Sequence, residues 1–161
     1  MKKLLSIAAV AALLSTGAMA DTITINGKVL AGAQVSFGAA PTGDLVGGTF
    51  TFKDAVVGFE SLALGIANTD NQDVYVKTNS NNGVKITLVT TPDLSDGTHT
   101  VPTTYKLGDT TFVAGSALSL TAGTNDGSAA IANKFTTTAT PAADQVSGTY
   151  AASIDVTIAQ N

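Results

Sequence analysis

The chain contains 161 residues with a formal net charge of −4, and only 12% of its residues are charged. Its lack of cysteine excludes a disulfide framework and a cysteine nucleophile. Its eight lysines and twelve acids disfavour a nucleic-acid interface, because such an interface needs clustered positive charge. A single histidine, His99, removes most general-base and zinc-site options, so we expect neither an enzyme nor a bound cofactor.

The first twenty residues have the pattern of a secretory signal peptide. Lys2 and Lys3 precede an apolar run over residues 4–14, and Ala18-Met19-Ala20 supplies the small residues that a signal peptidase reads. The alternative, a membrane anchor, is disfavoured because spanning a bilayer takes roughly 20 apolar residues. We therefore expect residues 1–20 to be removed during export, and the mature chain to start at Asp21 with no membrane span.

Alternating apolar and polar residues predict β-strands along the mature chain. The alternation covers residues 22–29, 49–52, 73–77, 84–88 and 150–158. Turn-forming residues separate these runs at positions 79–83, 95–97, 108–109 and 124–127. This spacing predicts an all-β sandwich of about seven short strands. Residues 129–132 are read as a short helical turn or a loop, and Pro102 indicates a sheet edge or a bulge.

Several small constellations favour turns or exposed surface over chemistry. Asp70, Asn71 and Asp73 form an oxygen-rich stretch but lack the spacing and the final glutamate of an EF-hand. Asp126-Gly127-Ser128 reads as a turn, and no nucleophile-elbow or phosphate-binding glycine motif is present. Glu60 is the only glutamate, which excludes a paired glutamate acid/base site.

The strongest alternation lies at the two ends of the mature chain. By itself it allows two ordinary strands within one closed sandwich. However, Val84-Lys85-Ile86-Thr87-Leu88, residues 91–96 (Thr-Pro-Asp-Leu-Ser-Asp) and Thr100-Val101-Pro102 resemble the major pilins of colonisation-factor-type fimbriae, which the chaperone–usher route assembles. Ile23-Thr24-Ile25 and the closing Gly148-Thr149-Tyr150 with its following alternation resemble chaperone–usher pilins in general.

The resemblance implies an immunoglobulin-like sandwich, residues 32–161, that lacks its last strand and is completed by a strand from a neighbouring subunit. The donor strand would be residues 21–31, with Ile23, Ile25, Gly27 and Val29 on the inserted face. The acceptor groove and chaperone contact would comprise residues near both ends of the domain: Val35, Phe37, Tyr150, Ile154, Val156, Ile158 and Asn161.

The resemblance also implies partners and a location. Identical subunits would form the polymer, a periplasmic chaperone and an outer-membrane usher would assemble it, and a host receptor is a further candidate partner for a fibre that supports adhesion. The subunit would pass through the periplasm to a fimbrium on the cell surface. The alternative hypotheses are a monomeric secreted sandwich that binds a ligand such as a carbohydrate, and, more weakly, an exported enzyme.

Overall fold

The computed structural model describes residues 28–53, 58–121 and 127–161. These residues form eleven strands and no helix, so the all-β class is confirmed. The signal segment and the predicted strand over residues 22–27 lie outside the described residues, and residues 28–30 are not in a strand. In chain order the strands are β1 (Ala33–Phe37), β2 (Phe50–Lys53), β3 (Asn68–Thr78), β4 (Val84–Leu88), β5 (Leu94–Ser95), β6 (Thr100–Val101), β7 (Thr103–Leu107), β8 (Thr110–Thr111), β9 (Ala117–Leu120), β10 (Ala129–Ala139) and β11 (Val156–Gln160).

The larger sheet is built around its two longest strands. Its order is β2-β1-β3-β10-β7-β8, and β3 and β10, each of 11 residues, pair antiparallel at its centre. β1 pairs antiparallel with β3 and parallel with β2, so β2 forms one edge of the sheet. The predicted strand over residues 73–77 is therefore the C-terminal half of a longer strand.

The smaller sheet has the order β11-β4-β9, with both pairings antiparallel. The bounds of β4 agree with the predicted run over residues 84–88. A separate two-stranded ribbon, β5-β6, lies beside these sheets. Among the described residues, β11 has β4 as its only strand partner.

The core lies between the two sheets and is almost entirely aliphatic and aromatic. Every second residue of β4 points into it, because successive strand residues face opposite sides. The fully buried side chains of β1, β3, β4 and β9 interdigitate there: Val35, Val74, Val76, Val84, Ile86, Leu88 and Leu120. This is the packing expected of two sheets that share one apolar interior.

Two expectations about local structure were wrong. Residues 129–132 are the start of β10, because pairing with β3 outweighs the weak strand preference of alanine. A register shift between Ile131 and Asn133 accommodates this stretch. The C-terminal strand starts at Val156, and of residues 150–155 only Ala151 makes a bridge, with Ser95.

Pro102 separates β6 from β7, where no ladder hydrogen bond from its nitrogen is needed.

The turn between β3 and β4 depends on a glycine. Gly83 has φ of +72° and is buried, and a Cβ at this position would overlap with the carbonyl oxygen of Leu120. The turn is further fixed by Thr78, whose hydroxyl donates to the oxygen of Gly32 at 2.8 Å. The close approach of Gly83 to Leu120 brings β9 against the start of β4.

We expect Gly83→Ala to destabilise the domain by about 2–4 kcal/mol, because a left-handed backbone and an overlap with a backbone oxygen both oppose it. Gly97→Ala is the matched control, since Gly97 also has positive φ (+94°) but has no atom within 4 Å of the added Cβ. It should cost about 1–2 kcal/mol. Equal losses in denaturant unfolding would contradict the role given to the Leu120 contact.

Candidate functional site

A large apolar cleft opens between the two sheets at the end of the sandwich where β11 begins. Its volume is about 830 Å³. The larger sheet contributes Phe37, Phe52, Tyr105 and Phe135 to one wall. The opposite wall consists of Leu88 and Val156 of the smaller sheet and of Ile154, which precedes β11. A cleft of this composition suits apolar side chains more than a charged or strongly polar ligand.

An aromatic cluster shapes the wall on the larger sheet. Phe37 stacks on Phe135 with ring centroids 4.4 Å apart, and meets Phe52 edge-on at 5.0 Å. Tyr105 stacks on the other side of Phe135 at 6.1 Å. Its hydroxyl donates to the carbonyl oxygen of Pro92 at 2.7 Å, and burial, with a smaller effect from the charge of Asp93, raises its pKa. The wall is therefore a fixed surface of large rings.

Two loops, residues 58–64 and 145–152, form the rim of the cleft. In the second loop, the hydroxyl of Tyr150 donates to the oxygen of Val146 at 2.7 Å and accepts from Nε2 of Gln145 at 2.9 Å. Ala151 and Ser95 exchange two backbone hydrogen bonds of 2.9 Å each, which fasten this loop to β5. The rim is thus fixed by hydrogen bonds on one side.

The edge of β11 beside this cleft presents backbone groups that pair with no strand among the described residues, although β2 lies close to β11 without pairing with it. The amide of Val89 donates to the oxygen of Asp155, and the amide of Asn161 to that of Gly83, so alternate residues between them also bond to β4. By this alternation, the N–H and C=O groups of Val156, Ile158 and Gln160 point away from β4. Such an edge is a template for a further strand.

The predicted acceptor residues are distributed over the cleft, the core and the chain end. Phe37, Tyr150, Ile154 and Val156 line the cleft, whereas Val35 is fully buried in the core below it. Ile158 packs half-buried against the core farther along β11. Asn161 lies beyond β11, where its Oδ1 accepts from the hydroxyl of Ser119 at 2.9 Å.

The predicted donor residues fall mostly outside the described part of the chain. Ile23, Ile25 and Gly27 lie in residues 1–27, which the structure does not describe. Val29 is described, is 87% exposed and lies in no strand.

Apart from Phe37, sequence reasoning did not identify the aromatic wall of the cleft. Phe52 was placed in a strand by its alternation with Phe50, but no local pattern indicates that β2 lies parallel to β1 at a sheet edge. Phe135 lies in β10, whose first residues gave no strand signal, and Leu88 was recognised only as the end of a strand. The only signal in the sequence was a hydrophobic residue at every second position. That signal does not distinguish residues that line the cleft from residues that are buried in the core.

The described residues hold no group of three or more histidine, cysteine, aspartate or glutamate side chains that could bind a metal ion. Nor does any helix among them have the length and apolarity to cross a bilayer. No family model and no curated protein matches this chain.

His99 lies on an exposed turn and helps to hold that turn in place. Oδ1 of Asp96 accepts from the amides of His99 and Thr98 at 2.6 and 2.8 Å, and Oδ2 lies 3.0 Å from Nδ1 of His99. The amide hydrogen bonds of His99 and Thr98, followed by the His99 ring, lower the pKa of Asp96 to about 2. The pair stabilises the turn between β5 and β6.

This pKa sets an expected pH dependence. Because the folded pKa of Asp96 lies below its ordinary value of 3.8, its ionised form stabilises the fold above that value, and the contribution is lost as the pH falls toward about 2. The denaturation midpoint of Asp96→Asn should therefore lie below that of the unchanged chain at pH 5, and the gap should narrow by pH 2.5. Asp109→Asn removes the same charge from another exposed turn and is the control. A gap independent of pH, or equal in the two variants, would contradict the assignment.

Proposed function

We propose that this chain is the structural subunit of a surface fimbria and that it polymerises by donor-strand exchange. Residues 21–31 of one copy would add a strand beside β11 of the next copy and fill its cleft. The observation that carries the proposal is the edge of β11, which is hydrogen-bonded to one strand among the described residues and whose first residue, Val156, lines an open apolar cleft. The fibre would support adhesion of the cell that bears it.

The strand order supports an immunoglobulin-like sandwich that lacks its last strand. In that fold one sheet has the order A-B-E-D and the other contains C, F and G. Here β1-β3-β10-β7 follow the order A-B-E-D, and β4 and β11 take the places of C and F. The place of G is the outer edge of β11, where the described residues supply no hydrogen-bonded strand. β2, β8 and β9 are additions at sheet edges.

The composition of residues 21–31 supports their role as the donor. Ile23, Ile25 and Val29 alternate with polar residues, so one face of an extended segment would carry all three. At about 3.3 Å per residue they span roughly 20 Å, comparable with the five residues of β11. The donor backbone would pair with the outward groups of Val156 and Ile158.

The energies involved are large enough for stable assembly. Burying three aliphatic side chains contributes about 5–9 kcal/mol at most. Ordering the segment costs at least about 1 kcal/mol per residue, which is of the same size. The additional strand hydrogen bonds, at about 0.5–1.5 kcal/mol each, and the covering of the apolar cleft of the acceptor then favour the complex.

The proposed route follows from the same edge. A periplasmic chaperone would pair with β11 before the next subunit does, and an outer-membrane usher would exchange one strand for the other. The predicted signal peptide supports export by this route, and a host receptor would be bound by the finished fibre. The chaperone contact would include the Ile154–Ile158 face and the terminal carboxylate of Asn161.

The proposal is tested by moving the donor strand within one chain. Residues 21–31 are deleted from the front and appended after Asn161 through a short hairpin linker, which allows the segment to lie antiparallel to β11. We expect a monomer that forms no fibres and whose Tm exceeds that of the chain lacking the segment by on the order of 10 °C. The matched control carries Ile23→Asn and Ile25→Asn in the appended copy and should lose most of this gain.

Fibres formed by the chain without residues 21–31 would contradict the assignment of the donor. An unchanged chain that gives no ladder of multimers in an unboiled gel would favour the monomeric binding module instead.

A further inference from the structure

We propose that Asn82 is a site of spontaneous deamidation, and that the modified turn loosens its hold on the end of β11. Asn82 directly precedes Gly83 in the turn between β3 and β4. The reaction needs the folded domain and water but no partner, so this inference stands apart from the proposed function. Its product is a subunit that carries a covalent mark of its age.

The chemistry uses groups that the chain itself supplies. The backbone nitrogen of Gly83 attacks Cγ of Asn82 and forms a new C–N bond, while the side-chain nitrogen takes up the proton of the Gly83 amide and leaves as ammonia. Water then opens the cyclic succinimide at one or the other of its carbonyl groups. The products are aspartate and isoaspartate, in which the backbone runs through the former side chain. Glycine favours the attack because it has no Cβ to obstruct it.

The fold leaves both reacting groups largely free. Asn82 is exposed, and its side-chain amide forms no hydrogen bond among the described residues. The attacking amide of Gly83 donates to the oxygen of Ser80 over a long distance of 3.5 Å. The pair lies in a turn, so no strand pairing has to be broken for the side chain to reach the backbone. Asn82 therefore combines the reactive sequence with an accessible and unrestrained side chain.

Asp96-Gly97 is a restrained counterpart in the same molecule. Aspartate before glycine forms the same succinimide by loss of water, and Asp96 also lies on an exposed turn. Its carboxylate, however, accepts from the amides of Thr98 and His99 at 2.8 and 2.6 Å and lies 3.0 Å from Nδ1 of His99. Attack by the nitrogen of Gly97 would have to break these contacts. The fold thus protects Asp96 and leaves Asn82 open.

The turn that contains the reactive pair also holds the end of β11. Nε2 of Gln160 donates to Oγ of Ser80 at 3.3 Å, and the amide of Asn161 donates to the oxygen of Gly83 at 3.4 Å. On its other side Gly83 lies against the backbone of Leu120, with no room for a side chain. Isoaspartate adds a methylene group to the backbone directly before Gly83. The oxygen of Gly83 must then shift, which weakens its contact with the chain end.

The rate of the reaction is measured on the full chain kept at mildly alkaline pH. Peptide mapping by mass spectrometry should show a gain of about 1 Da at Asn82, shared between aspartate and isoaspartate. The rate should lie within about tenfold of that in a free peptide of residues 79–85, because one long hydrogen bond is all that must be released. Asn82→Gln is the matched control and should show no gain at this position, since glutamine would have to close a larger ring.

Two results would overturn the site. The first is a folded chain that stays unmodified at Asn82 while the free peptide converts completely. The second comes from repeating the measurement in urea: unfolding should accelerate isoaspartate formation at Asp96 by a larger factor than at Asn82, and equal factors would show that the free side chain does not set the rate. Mapping also separates Asn82 from Asn26, which precedes Gly27 outside the described residues.

The effect on the fold is measured on the forms separated by anion exchange and assigned by mapping. The form with isoaspartate at position 82 should have a Tm at least roughly 3 °C below that of Asn82→Asp, which carries the same charge on a backbone of normal length. Equal Tm values would overturn the proposed loosening of β11 and leave the modification site standing. Neither measurement requires fibres, so failure of donor-strand exchange would leave both outcomes unchanged.

Discussion

Within the part of the chain that the structure describes, β11 pairs with a single strand, and the rest of the structure depends on this constraint. β4 satisfies the backbone groups on one side of β11, while those of Val156, Ile158 and Gln160 point away from it. An unsatisfied strand edge beside apolar side chains favours pairing with another strand. Under the proposed function, a strand from a neighbouring copy would supply the constraint that a disulfide supplies in small secreted domains, and the lack of cysteine is consistent with that.

The remaining architecture holds this edge in a defined position. The long central pair β3 and β10 forms a rigid base, and the stacked rings of Phe37, Phe135 and Tyr105 stand on it as one wall of the cleft. The opposite wall depends on Leu88, at the end of β4, and on Val156, its partner in register. Both walls are therefore held by strands that pair within their own sheets.

The sequence predicted the local features better than the ones that depend on distant pairing. The bounds of β4 and the C-terminal half of β3 follow from alternation and flanking turns, which are local signals. β10 was missed because Ala129 and Ala130 have weak strand preference, and only their pairing with β3 makes them extended. Residues 150–155 alternate in the same way as β11 and were predicted to belong to the same strand. A regular strand also needs a neighbouring strand to pair with, and of these residues only Ala151 makes a bridge, with Ser95. Of the aromatic wall only Phe37 was predicted, since the parallel contact between β1 and β2 leaves no trace in either segment.

Amide hydrogen exchange along β11 tests the central claim most directly. In the chain lacking residues 21–31, the amides of Thr157 and Ala159 should be protected by β4, whereas those of Val156, Ile158 and Gln160 should exchange fast. Addition of a peptide of residues 21–31 should slow exchange at Val156 and Ile158 and leave Thr157 and Ala159 as they were. Continued fast exchange at Val156 and Ile158 with saturating peptide, or in assembled fibres, would contradict the account.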